Sequence, residues 1–207
     1  YAVAVSSGTT ALQLSMTTLD IGKNDEVIVP NFTFAATINS IINCGAKPVI
    51  VDVDPETWTI DPKKIEKAIS NSTKAILPVH IYGQPCKMDE ISNIAKNSKL
   101  KVIEDCAEAI GGRYKDRLVG LDGDCSCFSF FANKTVTTGE GGMIVFKDIE
   151  MAKKAKILRD HGMSKTKSYW HDNVGFNFRM TNMQAALGVA QMERINELLE
   201  HKEKIFK

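Results

Sequence analysis

The 207-residue chain is 43% hydrophobic and carries a net charge of +1 from intermixed acids and bases, which suits a globular protein with a buried core. No basic stripe suggests nucleic acid, no apolar run nears the ~20 residues of a membrane span, and no signal peptide opens the chain, so a cytoplasmic protein is expected. The five cysteines (Cys44, Cys86, Cys106, Cys125 and Cys127) lack disulfide-framework spacing and complete no zinc set, so they read as free thiols.

The first predicted strand, 2–5, runs into Ser6-Ser7-Gly8-Thr9-Thr10 and a helical pattern, TTALQLSMTTL. Further strands are predicted at 26–30, 48–53, 74–80, 101–106, 125–130 and 142–146. Most are short, β-branched and almost continuously apolar, as strands covered on both faces should be. Between them lie FAATINSIINCG, DPKKIEKAIS and MDEISNIAKNS, each with helical spacing. Strands alternating with helices predict parallel crossovers in a mostly parallel, seven-stranded α/β sheet with helices on both faces. Only a Gly-rich loop separates the last two strands, so one member should be antiparallel.

After Phe146 the pattern turns helical: DIEMAKKAKILRDHG, a polar loop, then one long helix from Thr181. Thr181 and Gln184 form a capping box, and Ala186, Leu187, Ala190, Ile195, Leu198 and Leu199 predict one apolar face. Residues 1–150 are expected to form the α/β domain and 151–207 a helical continuation. The chain starts inside a strand and stops inside a helix, so a longer protein is expected.

Ligands of open α/β sheets sit beyond the carboxyl ends of the strands. The first ends in a glycine between hydroxyl residues at a helix start, which suits either a phosphate or simple capping. The fifth ends Glu104-Asp105-Cys106-Ala107-Glu108, where an Asp can bind a cation, orient a His, pair with a protonated ring nitrogen or cap a helix. The sixth ends in Ser129, five residues before Lys134, and Phe34 follows the second strand with an aromatic face. An anion site, a carboxylate, a hydroxyl and a lysine together form the set pyridoxal phosphate requires. A nucleotide-binding alternative fails because SSGTT is not G-x-G-x-x-G and no P-loop is present. Glycines 139, 141 and 142 read as a tight turn between two strands.

SSGTTAL, EDCAEA, FSFFANKTVTTGEGG and GFNFRMTNMQAALG together resemble the DegT-like nucleotide-sugar aminotransferases, fold type I enzymes that use pyridoxal 5'-phosphate. The likeness spans essentially the whole chain. Within the family, the lysine loop and WHDNVGFNFRMTN look most like perosamine synthases, which aminate C4 of GDP-4-keto-6-deoxymannose. The resemblance implies that Lys134 forms the cofactor Schiff base and Asp105 pairs with the pyridine nitrogen. It implies that Thr9, Thr10 and Ser129 contact the phosphate, with Gly8 allowing close backbone approach, and that Phe34 stacks on the ring. Asn177 would reach the neighbour's phosphate across a homodimer. Glu108 stands where many relatives carry Gln beside the cofactor's O3′, so that contact would need a shared proton or another donor. Relatives also carry a C-terminal small domain, which is expected to be missing here.

By the same resemblance, the amino donor is L-glutamate, the acceptor a nucleotide-linked keto-sugar, and the pathway one of surface polysaccharide or glycoconjugate building. Amination at C3, or a non-catalytic regulatory relative, remains an alternative. His161 and Arg179 read equally as substrate contacts or as structural groups.

Overall fold

The computed structural model describes residues 1–206. Seven strands form the main sheet: β1 (Ala2–Val5), β2 (Glu26–Pro30), β3 (Lys47–Val51), β4 (Thr73–Ile76), β5 (Lys101–Asp105), β8 (Cys125–Ser129) and β9 (Gly142–Phe146). Their order is β1-β9-β8-β5-β4-β2-β3. β9 runs antiparallel to both β1 and β8, while the pairings from β8 through β5, β4 and β2 to β3 are parallel. The expected antiparallel member is therefore β9. A short hairpin, β6 (Arg113–Tyr114) with β7 (Arg117–Leu118), was not anticipated; two-residue strands leave no periodicity to read.

The continuous apolar runs follow from a sheet covered twice. Within β2, Val27 and Val29 enter one core while Ile28 enters the other; in β4, Ala75 and Ile76 divide the same way. The first core is closed by α1 (Gly8–Thr18), α2 (Ala35–Asn43) and α5 (Ile149–Arg159). The second is closed by α3 (Pro62–Ala68) and α4 (Met88–Ser98). Cys125 and Cys127 both enter the first core, as two-residue alternation requires. All five cysteines are free, and burial pushes the Cys106 thiol up to about 12, so these are packing residues.

The long C-terminal helix is corrected by the structure. It divides into α6 (Asn182–Glu193) and α7 (Ile195–Phe206) at Arg194, whose φ of −108° and ψ of 16° leave the helical range. Neither Gly nor Pro marks the break, so helical spacing alone did not betray it. The Thr181–Gln184 capping box is present. The expected apolar face is also corrected: Leu187 is 57% exposed, and only Ile195, Leu198 and Leu199 of that set are partly covered. No helix of the described residues is long and apolar enough to cross a membrane.

Candidate active site

Strand register brings the chemistry to one edge. Val5, Gly142 and Ser129 sit at one level across β1, β9 and β8, and Asp105 pairs with Cys127 next to them. Beyond that edge lies a cavity of about 360 Å³ whose walls include Gly8, Thr9, Phe34, Asp105, Ser129 and Lys134. Glu108 also lines it, so these seven expected residues converge. Thr10 and Asn177 are not among its lining residues.

At the anion end, Ser7 caps α1: its Oγ accepts the Thr10 amide at 3.1 Å, and Thr10 Oγ1 accepts the Ser7 amide at 3.0 Å. The Thr10 hydroxyl is thereby committed to capping. The amides of Gly8 and Thr9 remain free at the positive end of an 11-residue helix, an arrangement that attracts anions. Ser129 Oγ accepts the Phe131 amide at 3.4 Å and keeps its hydroxyl proton available. A Cβ on Gly8 would approach Ser129 Cβ to 2.8 Å, so the space between helix start and strand end depends on a missing side chain. Gly142 has a similar duty, since a Cβ there would lie 2.5 Å from the Ser7 carbonyl oxygen. That glycine serves close backbone approach, whereas Gly139, at φ +78°, serves the turn.

Across the cavity, Asp105 ends β5 and is 4% exposed. Its Oδ1 accepts the Ala107 amide at 3.1 Å and its Oδ2 the Thr37 hydroxyl at 2.9 Å. Burial pushes its carboxyl above the ordinary range, against the pull of those two donors. An ionised carboxylate has about four acceptor sites, so Asp105 still has capacity for a donor from the cavity. Phe34, immediately before α2, is 74% exposed and offers its ring to the same space.

Lys134 lies on the loop between β8 and β9. Phe130 and Gly141 close that loop, the Phe130 amide donating to the Gly141 carbonyl at 2.8 Å and its carbonyl accepting the Thr138 amide at 2.9 Å. The lysine side chain is only 19% exposed, with Nζ 3.7 Å from Glu108 Oε1. Glu108 Oε2 is held by the Tyr82 amide at 2.9 Å. A second cavity of about 610 Å³ opens on the other side of this pair, bounded by Tyr82 and by Leu199 and Phe206 of α7. Both cavities share Glu108 and Lys134, so the amine stands at their junction.

Behind Asp105, on the opposite sheet face, Glu104 is fully buried. Its Oε1 accepts the amides of Asp122 and Gly123, and its Oε2 accepts the Gly120 amide and faces His80 Nε2 at 2.9 Å. The Cys86 amide donates to His80 Nδ1 at 3.0 Å, which leaves the proton on Nε2 for Glu104. Burial pushes the Glu104 carboxyl up, but His80 and the Gly123 and Gly120 amides outweigh it and hold the group below its ordinary value. With Cys106 these side chains have the spacing of a metal cluster. The lone pairs of His80 and Glu104 are already engaged, so the cluster is a structural bracket for β5. Sequence reading missed it, as it missed Thr37 and Tyr82. The only trace of Thr37 was the inward spacing of Thr37, Ser40 and Ile41 along α2.

Arg179 and His161 fall outside both cavities. Arg179 Nη1 lies 2.9 Å from Asp160 Oδ1 and its Nε donates to Asn177 Oδ1 at 3.3 Å, while the His161 amide donates to the Phe176 carbonyl. Asn177 is exposed.

The donor set matches a phosphorylated pyridine aldehyde: free amides and a hydroxyl for the phosphate, a buried carboxylate for a ring N–H, an aromatic face and an amine. Residues 1–207 match the model of the DegT/DnrJ/EryC1/StrS aminotransferase family. The chain is 51% identical over 205 residues to the GDP-perosamine synthase of Caulobacter vibrioides, covering 99% of this chain and 55% of that relative. It is 47% identical to a UDP-N-acetyl-3-dehydro-alpha-D-glucosamine 3-aminotransferase from Acidithiobacillus ferrooxidans, over 90% of this chain and 50% of the relative. Among solved structures, the PLP form of a putative sugar aminotransferase from Streptococcus pneumoniae superposes with a TM-score of 0.94 at 32% identity, over 99% of this chain and 58% of that one. The chain thus spans about half the length of the curated relatives it matches. It belongs to the DegT/DnrJ/EryC1/StrS aminotransferase family, and pyridoxal 5'-phosphate is the cofactor its cavity fits.

Proposed function

We propose that this member of the DegT/DnrJ/EryC1/StrS aminotransferase family supplies the cofactor site of an enzyme that moves an amino group from L-glutamate to a nucleotide-linked 4-keto-6-deoxy sugar. The observation that carries the proposal is the convergence of Lys134, Asp105 and the Gly8–Thr9–Ser129 cradle on one cavity. Pyridoxal phosphate supplies an electron sink for a carbanion at the donor's Cα.

Every other task belongs to the chain. The free amides of Gly8 and Thr9 and the Ser129 hydroxyl hold the phosphate. Asp105 keeps the pyridine nitrogen protonated, and Phe34 covers one ring face. Lys134 would hold the cofactor's aldehyde end at Nζ, and the same amine would move a proton for amino transfer. Its position between two cavities suits that double duty: cofactor on one side, keto-sugar on the other. Glu108, tied to the Tyr82 amide, faces Lys134 and is the carboxyl group that positions the amine.

Exposed Tyr82 lines the second cavity and, with exposed Trp58, an adjoining one; the two rings contact Phe32 edge-on, with centroids 6.1 and 5.6 Å from its own, and form a rim beside the second cavity. Trp58 and Tyr82 both hold positive φ, a strained conformation for bulky side chains. Such a rim favours a substrate with a planar base, hence a nucleotide-linked sugar. Amination at C4 follows the 51% identity to a GDP-perosamine synthase; the 47% identity to a 3-aminotransferase keeps C3 as the second reading. In this proposal residues 1–150 carry the cofactor-binding sheet and 151–207 the helical continuation, whose first helix packs back on that sheet. The exposed Asn177 then serves the neighbour's cofactor in a homodimer.

The full-length enzyme, given glutamate and a panel of keto-sugars, should form an amino-sugar by ping-pong kinetics. Identification of the aminated carbon separates C4 from C3. Lys134→Ala should abolish turnover and the borohydride-sensitive absorbance; near-normal amino transfer by that variant would refute the scheme.

A further inference from the structure

Thr37 is 1% exposed on the first turn of α2 and touches two oxygens. Its Oγ1 lies 2.9 Å from Asp105 Oδ2 and 2.7 Å from Thr33 Oγ1. A threonine hydroxyl has one proton, and an ionised carboxylate only accepts. The Thr37 proton therefore goes to Asp105, and Thr33 must donate to Thr37. The chain of hydroxyls runs one way, from Thr33 at the cavity wall to the buried carboxylate.

We propose that Thr37, oriented by Thr33, is a positioning residue that keeps Asp105 ionised and aimed into the cavity. The inference rests on the reading of Asp105 as the partner of the cofactor's ring nitrogen.

The carboxylate has two local donors, and they differ in kind. The Ala107 amide holds Oδ1 and comes from Asp105's own strand end, so it travels with the residue. Thr37 comes from α2, after β2, and is the side-chain hydroxyl that reaches Oδ2. Burial pushes the Asp105 carboxyl up, and the Ala107 amide and Thr37 hydroxyl oppose that push. The charged or titratable groups around it are His80 after β4, Glu108 after β5, Glu104 behind β5, the buried thiols of Cys106 and Cys127, and Lys134 across the cavity. Glu108 works against ionisation of Asp105, which makes a neutral, directed donor on Oδ2 more consequential. A protonated Asp105 would lose the charge that holds a ring N–H, so Thr37 acts on the chemistry through Asp105 alone.

The test compares Thr37→Val, which keeps the shape and removes the hydroxyl, with Thr37→Ser, which keeps the hydroxyl. The readouts are the Asp105 carboxyl midpoint by carbon-13 NMR in the cofactor-free protein and the pyridoxal-phosphate dissociation constant of the full-length holoenzyme. Thr37→Val should move the midpoint upward and weaken retention by about tenfold, the scale of one lost hydrogen bond to a charged group. Thr37→Ser should restore both, and Thr33→Val should shift both less, in the same direction. If Thr37→Val does not fold, Thr37→Cys, a weaker donor of similar shape, is read instead. An unchanged midpoint, or equal damage from Val and Ser, overturns the inference in favour of packing. Asp105→Asn separates the two levels. If it loses cofactor while Thr37→Val does not, only the inference fails; if it retains full affinity, the reading of Asp105 fails and the inference with it.

Discussion

Replacing Gly8 by alanine adds one methyl group where there is no room. The new Cβ would meet Ser129 Cβ at 2.8 Å, Ser129 Oγ at 3.2 Å and Ser129 Cα at 3.4 Å. The closest of these, Ser129 Cβ, is fixed by the backbone and cannot rotate away, so either α1 or the end of β8 must shift. Gly8 is not in the left-handed region, so alanine brings no backbone strain and the effect is steric. Overpacking of this kind costs about 1–3 kcal/mol. At about 2–4 °C per kcal/mol for a chain of this size, the Tm should fall by roughly 2–12 °C. The same displacement closes the cradle between the Gly8 and Thr9 amides and the Ser129 hydroxyl, so cofactor affinity should fall together with stability. Differential scanning calorimetry and a pyridoxal-phosphate titration read the two effects. Adding Ser129→Gly removes the colliding Cβ and should recover stability without recovering affinity, because the hydroxyl is also gone. A Gly8→Ala variant with unchanged Tm and unchanged affinity would refute the idea that this gap is held open by a missing side chain.

Two further outcomes follow from the buried acids. Glu104→Ala leaves three amides and the His80 N–H without an acceptor and should cost about 3–5 kcal/mol, read as a lower urea midpoint. Because the folded-state carboxyl lies below the ordinary 4.5, the stability linked to Glu104 is fully present above that value and is lost as pH falls through the folded pKa; urea midpoints from pH 7 to 3 should converge for wild type and Glu104→Gln. Asp105 has the opposite sign. Its carboxyl is raised by burial, so its ionised form costs stability at pH 7 and the cost fades on acidification through the folded pKa. Cofactor-free Asp105→Asn should therefore melt above wild type at pH 7 and approach it in acid. A lower Tm at neutral pH would mean that the Ala107 and Thr37 hydrogen bonds outweigh the desolvation.

Much of the candidate site was legible because its parts are local in sequence. The glycine between hydroxyl residues at a helix start, the strand-ending Asp105 and the Ser129–Lys134 spacing each need only a short stretch of chain to be recognised. The alternation of apolar strands and amphipathic helices was equally readable, since burial on both faces makes strand composition continuous. Partners distant in sequence were not. Asp105 and Thr37 are 68 residues apart, and His80 and Glu104 are 24 apart. Thr10 also reads alike as an anion ligand and as a capping residue until its hydroxyl is seen bonded to Ser7.

The sequence by itself determined which chemical groups this protein brings to its sheet: an amine, a buried carboxylate, a phosphate-ready helix start and an aromatic face. Periodicity and turn chemistry are properties of neighbouring residues, and so are those motifs. Only the tertiary structure decided that Lys134 stands between two cavities, that Gly142 makes room for the Ser7 backbone, and that α6 and α7 part at Arg194. Those facts depend on which strands lie side by side and on what fills the space between them. Pairing across many residues of intervening chain sets both, and no local pattern records it.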